Sequence, residues 1–239
     1  MAFDKKAVYT ITVVGIPSAF LLHGYVGFIF GSVKANPWWS SVLMPIVFLF
    51  SAIVSGIALV LLLYMITTPI RGQKIDMLCL DKLASFLFYI MIIDFSLEIL
   101  DFIHRVYEAE ESIKILAALV EQRLFGSLIV LQVLMGMLVP LAGIAIVKIF
   151  KLPVEIRKLI YFLAAILVQV GIFSTRWNVV IGGQLFSKSF MGLTTYKSTL
   201  LGLEGLLVSI VLLVLPFFIL WILTKIFPPW SPATIVTND

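Results

Sequence analysis

Asp94, Glu98, Asp101, Arg105 and Glu108 follow one another at spacings of four, three, four and three residues. Around them the segment is almost all Leu, Ile, Phe, Met and Tyr. At about 100° per residue, all five side chains fall within about 80° of one helix circumference. Asp101–Arg105 and Arg105–Glu108 are spaced for ion pairs, which suits helix packing near lipid headgroups. Asp94 and Glu98 lie deeper. A carboxylate at the centre of a bilayer costs about 3 kcal/mol on insertion scales unless it is neutral or paired. A carboxyl group held near that balance can take up and release protons. The stripe therefore reads as a proton path through Asp94, Glu98, Asp101 and Arg105, facing other helices or an internal wet cavity.

The elements that must position such a stripe are membrane-spanning helices. The chain has 239 residues, 62% of them hydrophobic and 13% charged, with a mean hydropathy of +1.14. Apolar runs of about 20 residues recur along it, each long enough to cross the roughly 30 Å hydrocarbon layer. The spacing predicts spans at 8–30, 41–66, 82–105, 124–148, 157–178 and 200–226. Residues 1–230 thus form one all-α, polytopic transmembrane domain, with a short tail at 231–239. The apolar run after Asp4, Lys5 and Lys6 is long and lacks a small-residue cleavage pattern, so it is read as a retained first span. Asn36-Pro37-Trp38-Trp39, Thr68-Pro69, Arg71-Gly72, Leu152-Pro153 and Gly182-Gly183 punctuate the spans. Trp38, Trp39, Tyr107, Trp177, Trp221 and Trp230 fall near predicted ends, as an aromatic belt would. Pro17, Pro45, Pro140 and Pro216 are expected to kink helices from within. Ser51, Ser55 and Gly56 are expected to let two helices approach closely.

Ten of the seventeen Lys and Arg residues fall on the side that holds the N-terminus, and the other side carries Glu108, Glu110 and Glu111. The positive-inside tendency then puts both termini in the cytoplasm, in an inner membrane. On that orientation most intramembrane polar groups gather in the outer half, with His23, Gln132, Arg176, Asn178 and Glu204 beside the acidic stripe. The basic balance of +4 is spent on orientation and gives no argument for nucleic acid. Cys79 is the single cysteine. That excludes a disulfide within the chain, a thiolate zinc site and a bound iron–sulfur cluster. No nucleotide loop, nucleophile triad or metal-ligand cluster is visible, which argues against a stand-alone enzyme.

His23-Gly-Tyr-Val-Gly-Phe-Ile-Phe-Gly31 with Lys34-Ala-Asn-Pro-Trp-Trp39, and Arg176-Trp-Asn-Val-Val-Ile-Gly-Gly-Gln184, resemble the polysulfide-reductase membrane-subunit family, often called NrfD-like. The segment from Met44-Pro45 to Ser51-Ala-Ile-Val-Ser-Gly56 is similar as well. The long-form subunit of sulfite-reductase-linked membrane complexes looks closest. In long-form members the histidine-glycine-tyrosine motif comes near the middle, and here it comes in the first span. The chain thus resembles the C-terminal part of such a protein, with a separate chain able to supply the remaining helices.

The resemblance implies a four-helix bundle with flanking helices, and a subunit that passes electrons between the quinone or menaquinone pool and a ferredoxin-like iron–sulfur partner, alongside further redox subunits. It implies an exchangeable quinone and no bound haem or cluster. His23, Arg176 and Asn178 are then the candidates to bind the quinone, with His23 donating to a carbonyl or taking its proton. Each has a plainer reading. His23 is equally a satisfied core histidine, and Arg176 is equally a side chain snorkelling to the interface or the counter-ion of Glu98 or Asp101. Two other functions compete. One is a b-haem cytochrome ligated by His23 and His104. The other is a proton- or ion-conducting module without redox chemistry.

Overall fold

The computed structural model describes residues 2–108, 113–150, 152–187, 192–195, 199–202 and 205–227. Glu110, Glu111, Glu204, Trp230 and the tail 231–239 lie outside the described residues. The chain divides into two compact units, residues 1–194 and 195–239.

The first unit is helical. α1 spans Ala2–Gly31, α2 Met44–Ile70, α3 Met77–Glu108, α4 Ile113–Leu119, a π-helical segment π1 Val120–Leu138, α5 Val139–Ile149 and α6 Val154–Gln184. α4, π1 and α5 run on as one rod, Ile113–Ile149. α2, α3, the rod and α6 close a four-membered ring of packed helices, and α1 flanks it against α2. The second unit contributes α7, Leu206–Ile226, apolar around its whole circumference. Among the described residues six helices are thus long and apolar enough to cross a membrane, and the chain is a multi-pass membrane protein.

The helix ends follow local chemistry. α2 starts at Met44 because Pro45 fits a first turn, where its missing N–H costs nothing. Pro45 therefore opens the helix and does not kink its interior. Pro140 likewise sits in the first turn of α5, where π geometry gives way to α. α2 stops at Gly72, whose φ of 68° closes the turn, with Gly72 N–H donating to Pro69 O at 2.8 Å. α3 starts earlier than the hydropathy suggests because Asp76 Oδ1 accepts from Leu78 N–H at 2.9 Å, as an N-cap does. Glu121-Gln122-Arg123 do not begin the fourth span; the rod enters from Ile113 and carries them as exposed residues. α6 continues to Gln184, so Gly182 and Gly183 are helical and do not punctuate a span.

Burial divides the ring lengthwise. One end is filled by Val54, Ala58 and Leu61 of α2, Leu80, Ala84, Leu87 and Met91 of α3, Ile144 of α5, and Ala164, Ala165 and Val168 of α6. Asp81 of α3 pins that end to α6 by an ion pair with Arg157 and by accepting from Tyr161 Oη at 2.9 Å. One turn past Met91 the interior turns polar, beginning at Asp94.

The helices meet where small residues allow it. Gly136 of π1 and Gly171 of α6 touch backbone to backbone, and a Cβ on either would collide with the other's Cα. Gly56, expected at such a contact, has open space around its would-be Cβ. Ser51 and Ser55 face α6 as hydrogen-bonding groups instead, Ser55 Oγ donating to Gln169 Oε1 at 2.9 Å.

Candidate functional site

The polar end holds a partly open cavity of about 250 Å³. α3 presents Phe95, Glu98, Ile99, Asp101, Phe102 and Arg105 to it. π1 presents Leu128, Ile129, Gln132 and Val133, and α6 presents Thr175, Asn178 and Val179. Trp38, Met44 and Val47 close the remaining side. Most of the lining is apolar, and the few polar groups are tied to one another, as in sites that bind small organic ligands.

Those ties form a circuit that is open between Glu98 and Asp101. Asn178 Nδ2 donates to Gln132 Oε1 at 2.8 Å, and Gln132 Nε2 donates to Glu98 Oε2 at 2.8 Å. On the other side Asp101 accepts from Ser41 Oγ and is ion-paired with Arg105 one turn away. Arg105 Nη1 donates to Trp38 O at 2.9 Å, and its guanidinium lies 5.2 Å from the centre of the Trp38 ring. Trp38 Nε1 then donates to Asn178 O at 2.8 Å, which ties the Asp101–Arg105 pair to α6. Arg105 and Asp101 are both buried, so each satisfies a charge the other would leave stranded.

The segment between α1 and α2 roofs this end of the ring. Asn36 Nδ2 donates to Gly183 O at 2.8 Å, and Asn36 Oδ1 accepts from Trp38 N–H at 3.0 Å. Trp39 Nε1 donates to Val179 O at 2.6 Å. The indoles lie flat against α6 because Gly182 and Gly183 have no side chains: a Cβ on Gly183 would overlap the Trp39 ring, and one on Gly182 would stand 2.8 Å from Trp38 Nε1. Trp38 is only 2% exposed. The two tryptophans are therefore seated in sockets of the protein and are not belt residues. Tyr107, Trp177 and Trp221 are exposed.

The candidate residues separate into three groups. Glu98, Asp101, Arg105 and Asn178 line the cavity together. Asp94 and Arg176 lie beyond its wall. Asp94 is buried, with Oδ1 lacking a hydrogen-bond partner. Arg176 does not snorkel at a helix end, because α6 runs two turns further. Its Nη2 donates to Phe48 O at 3.0 Å and to Ser51 Oγ at 2.6 Å, and its guanidinium lies 3.9 Å from the Phe48 ring centre. It forms no ion pair with Glu98 or Asp101 within 4 Å, though it stands in electrostatic range of Asp94 and Glu98. His23 stands apart on α1, half-buried, its Nδ1 2.9 Å from Ala19 O of its own helix. His104 pairs with Glu108 at 3.7 Å. Neither histidine lines the cavity. Gln132 joins the circuit from a polar position visible in the sequence. Trp38 and Ser41 join it from a segment that reads only as a loop.

A family model described as "Polysulphide reductase, NrfD" matches residues 1–188. The chain is 34% identical over 171 residues to a selenate reductase subunit of Mesobacillus selenatarsenatis, a match covering 71% of this chain and 38% of that protein. The chain thus spans less than half the length of that relative. No solved structure matches it.

Proposed function

We propose that this chain, which belongs to the polysulphide reductase NrfD family, is an integral membrane subunit of a respiratory redox complex that passes electrons between the quinone or menaquinone pool and an iron–sulfur partner. The cavity is the proposed quinone site. The observation that carries this reading is the cavity's combination of volume and edge chemistry. A space of about 150 Å³ holds benzene, so about 250 Å³ accommodates a substituted quinone ring. Phe95, Ile99, Phe102, Ile129 and Val133 supply apolar faces for that ring, and the Glu98–Gln132–Asn178 chain supplies polar atoms at its edge.

In this reading Asn178 and Gln132 hold the ring oxygens. Arg176 acts from behind the wall on the charge of Asp94 and Glu98, and His23 keeps its bond within α1. Glu98 exchanges the protons that accompany quinol oxidation or quinone reduction, and Asp101 and Arg105 lead them toward the roofed end. That end faces outward if both termini are cytoplasmic in an inner membrane, as the Lys and Arg distribution favours. Further support comes from the relative named as part of a selenate reductase. By analogy an iron–sulfur subunit docks near the 36–39 roof, and a separate chain or preceding helices complete the membrane part.

The test is titration of the full chain, in nanodiscs of bacterial lipid, with a fluorescent hydroxyquinoline analogue of quinol. The expected result is saturable binding at one site per chain. Asn178→Leu should weaken it at least about fivefold, the loss of a buried hydrogen bond of about 1 kcal/mol or more. Unchanged affinity in Asn178→Leu and in Glu98→Gln would overturn the site.

A further inference from the structure

Three carboxylates and two guanidiniums share the polar end of the ring. Asp94, Asp101 and Arg105 are buried, and Glu98 Oε1 is shielded from solvent. Arg105 is committed to Asp101. Arg176 stands in electrostatic range of both Asp94 and Glu98. Among the described residues the ring helices place no further Asp, Glu, Lys or Arg in this cluster, and His23 on the flanking α1 is half-buried with Nδ1 2.9 Å from Ala19 O of its own helix. α2 faces the cluster with Ser51 and Ser55, π1 with Gln132, and α6 with Gln169, Thr175 and Asn178 besides Arg176. The roof adds Trp38 and Ser41. His104 and Glu108 lie further along α3 and pair with each other, and Glu121 and Arg123 are exposed on the rod. Fully ionised, the cluster is one negative charge out of balance, and an uncompensated charge in a low-dielectric interior is strongly disfavoured.

A second observation points to the missing partner. Asp94 Oδ1 and Glu98 Oε1 are buried acceptors without a donor, and Arg176 Nη1 is a buried donor that reaches neither of them. One proton placed on this pair supplies the absent charge and removes the need of one carboxylate for a counter-ion. We propose that Asp94 and Glu98 share a single resident proton, with Arg176 balancing the carboxylate left ionised, so that the cluster is a one-proton site. A metal cation suits it less well. Gln132 Oε1, Gln169 Oε1 and Ser51 Oγ are already engaged, and among the described residues no group of three His, Cys, Asp or Glu side chains stands together. Loading and unloading make and break one O–H bond and move no electrons. The inference deepens the proton-path reading and rests on it only for where the proton goes.

Infrared spectroscopy of the full chain in lipid nanodiscs tests this through the C=O stretch of a protonated carboxyl group, identified by its shift in D₂O. At neutral pH the wild type should show one protonated carboxyl per chain. Asp94→Asn and Glu98→Gln should each abolish it, because the remaining carboxylate then matches Arg176. Arg176→Gln should raise the count to two. If Arg176→Gln does not fold, the Asp94→Asn/Arg176→Gln double variant should restore one. No band in the wild type, or a band that persists in either single carboxyl variant, would overturn the proposal. If the band behaves as expected while Glu98→Gln sustains full quinol-linked proton release, the one-proton site stands and the path reading falls.

Discussion

Gly136 of π1 and Gly171 of α6 meet backbone to backbone, with no side chain between them. Lipid offers no hydrophobic drive to bring helices together, so such dispersion contacts carry much of the association. A methyl group at either glycine has nowhere to go without separating the helices. Gly171→Ala should therefore destabilise the chain by about 1–3 kcal/mol, the usual cost of overpacking. Gly56→Ala, which adds a methyl group in open space, should be close to neutral. Thermal unfolding in detergent, compared across the two variants, measures the difference. Equal stability would mean that the crossing is not tight.

Gly183 serves the Trp39 socket in the same way. Gly183→Ala should push the indole out of its seat and break the Trp39 Nε1 bond to Val179 O. Tryptophan emission should shift toward that of a wetter environment, and the near-ultraviolet circular dichroism should weaken. A spectrum identical to wild type would place the ring elsewhere.

The Asp101–Arg105 pair is buried and shared with Ser41 and Trp38. Removing one partner strands the other, so Asp101→Asn should cost about 3–5 kcal/mol. Arg105→Lys keeps the charge but cannot reach both Asp101 and Trp38 O with a planar fork, so it should lose part of that amount. The Asp101→Leu/Arg105→Met double variant should recover most of the stability, because neither charge is then left alone. Unfolding midpoints of the three variants, ranked against wild type, decide this.

Six spans and the polar stripe were legible because hydropathy and the 3.6-residue period report directly on which surfaces lipid accepts. The roof was not. Trp38 and Trp39 near a span end look the same in sequence whether they float in headgroups or fill sockets, and the sockets are made by Gly182 and Gly183, about 140 residues away. Those glycines read as breakers because a helix tolerates them only when something else uses the space. The π geometry of Val120–Leu138 leaves no mark on composition. Neither does the pairing of Gly136 with Gly171, since small residues reveal a contact only once both partners are known. Glu98 was legible as a carboxylate within a span, whereas its link to Asn178 runs through Gln132, whose place depends on the packing of a third helix.

Gln132 is the hinge between the two polar halves of the cavity. Gln132→Leu removes the donor to Glu98 and the acceptor from Asn178 at once. Affinity for the quinol analogue should fall by about tenfold, equivalent to about 1.4 kcal/mol. His23→Ala, at a residue that does not line the cavity, should change affinity less than twofold. The two titrations run side by side distinguish a site in the ring from one on α1: a larger loss in His23→Ala would move the site to α1.

The apolar packing between Met91 and Asp81 has an electrical meaning. A membrane voltage falls mainly across the layer of lowest permittivity, and here that layer is the block of Val54, Leu61, Leu87, Ile144 and Val168. Each elementary charge carried through it at 100 mV would gain or lose about 2.3 kcal/mol. On the proposed proton route, a proton entering at Glu98 from the roofed end would stop short of this insulator and cross little of the field, so turnover at the cavity should be only weakly opposed or driven by membrane polarisation.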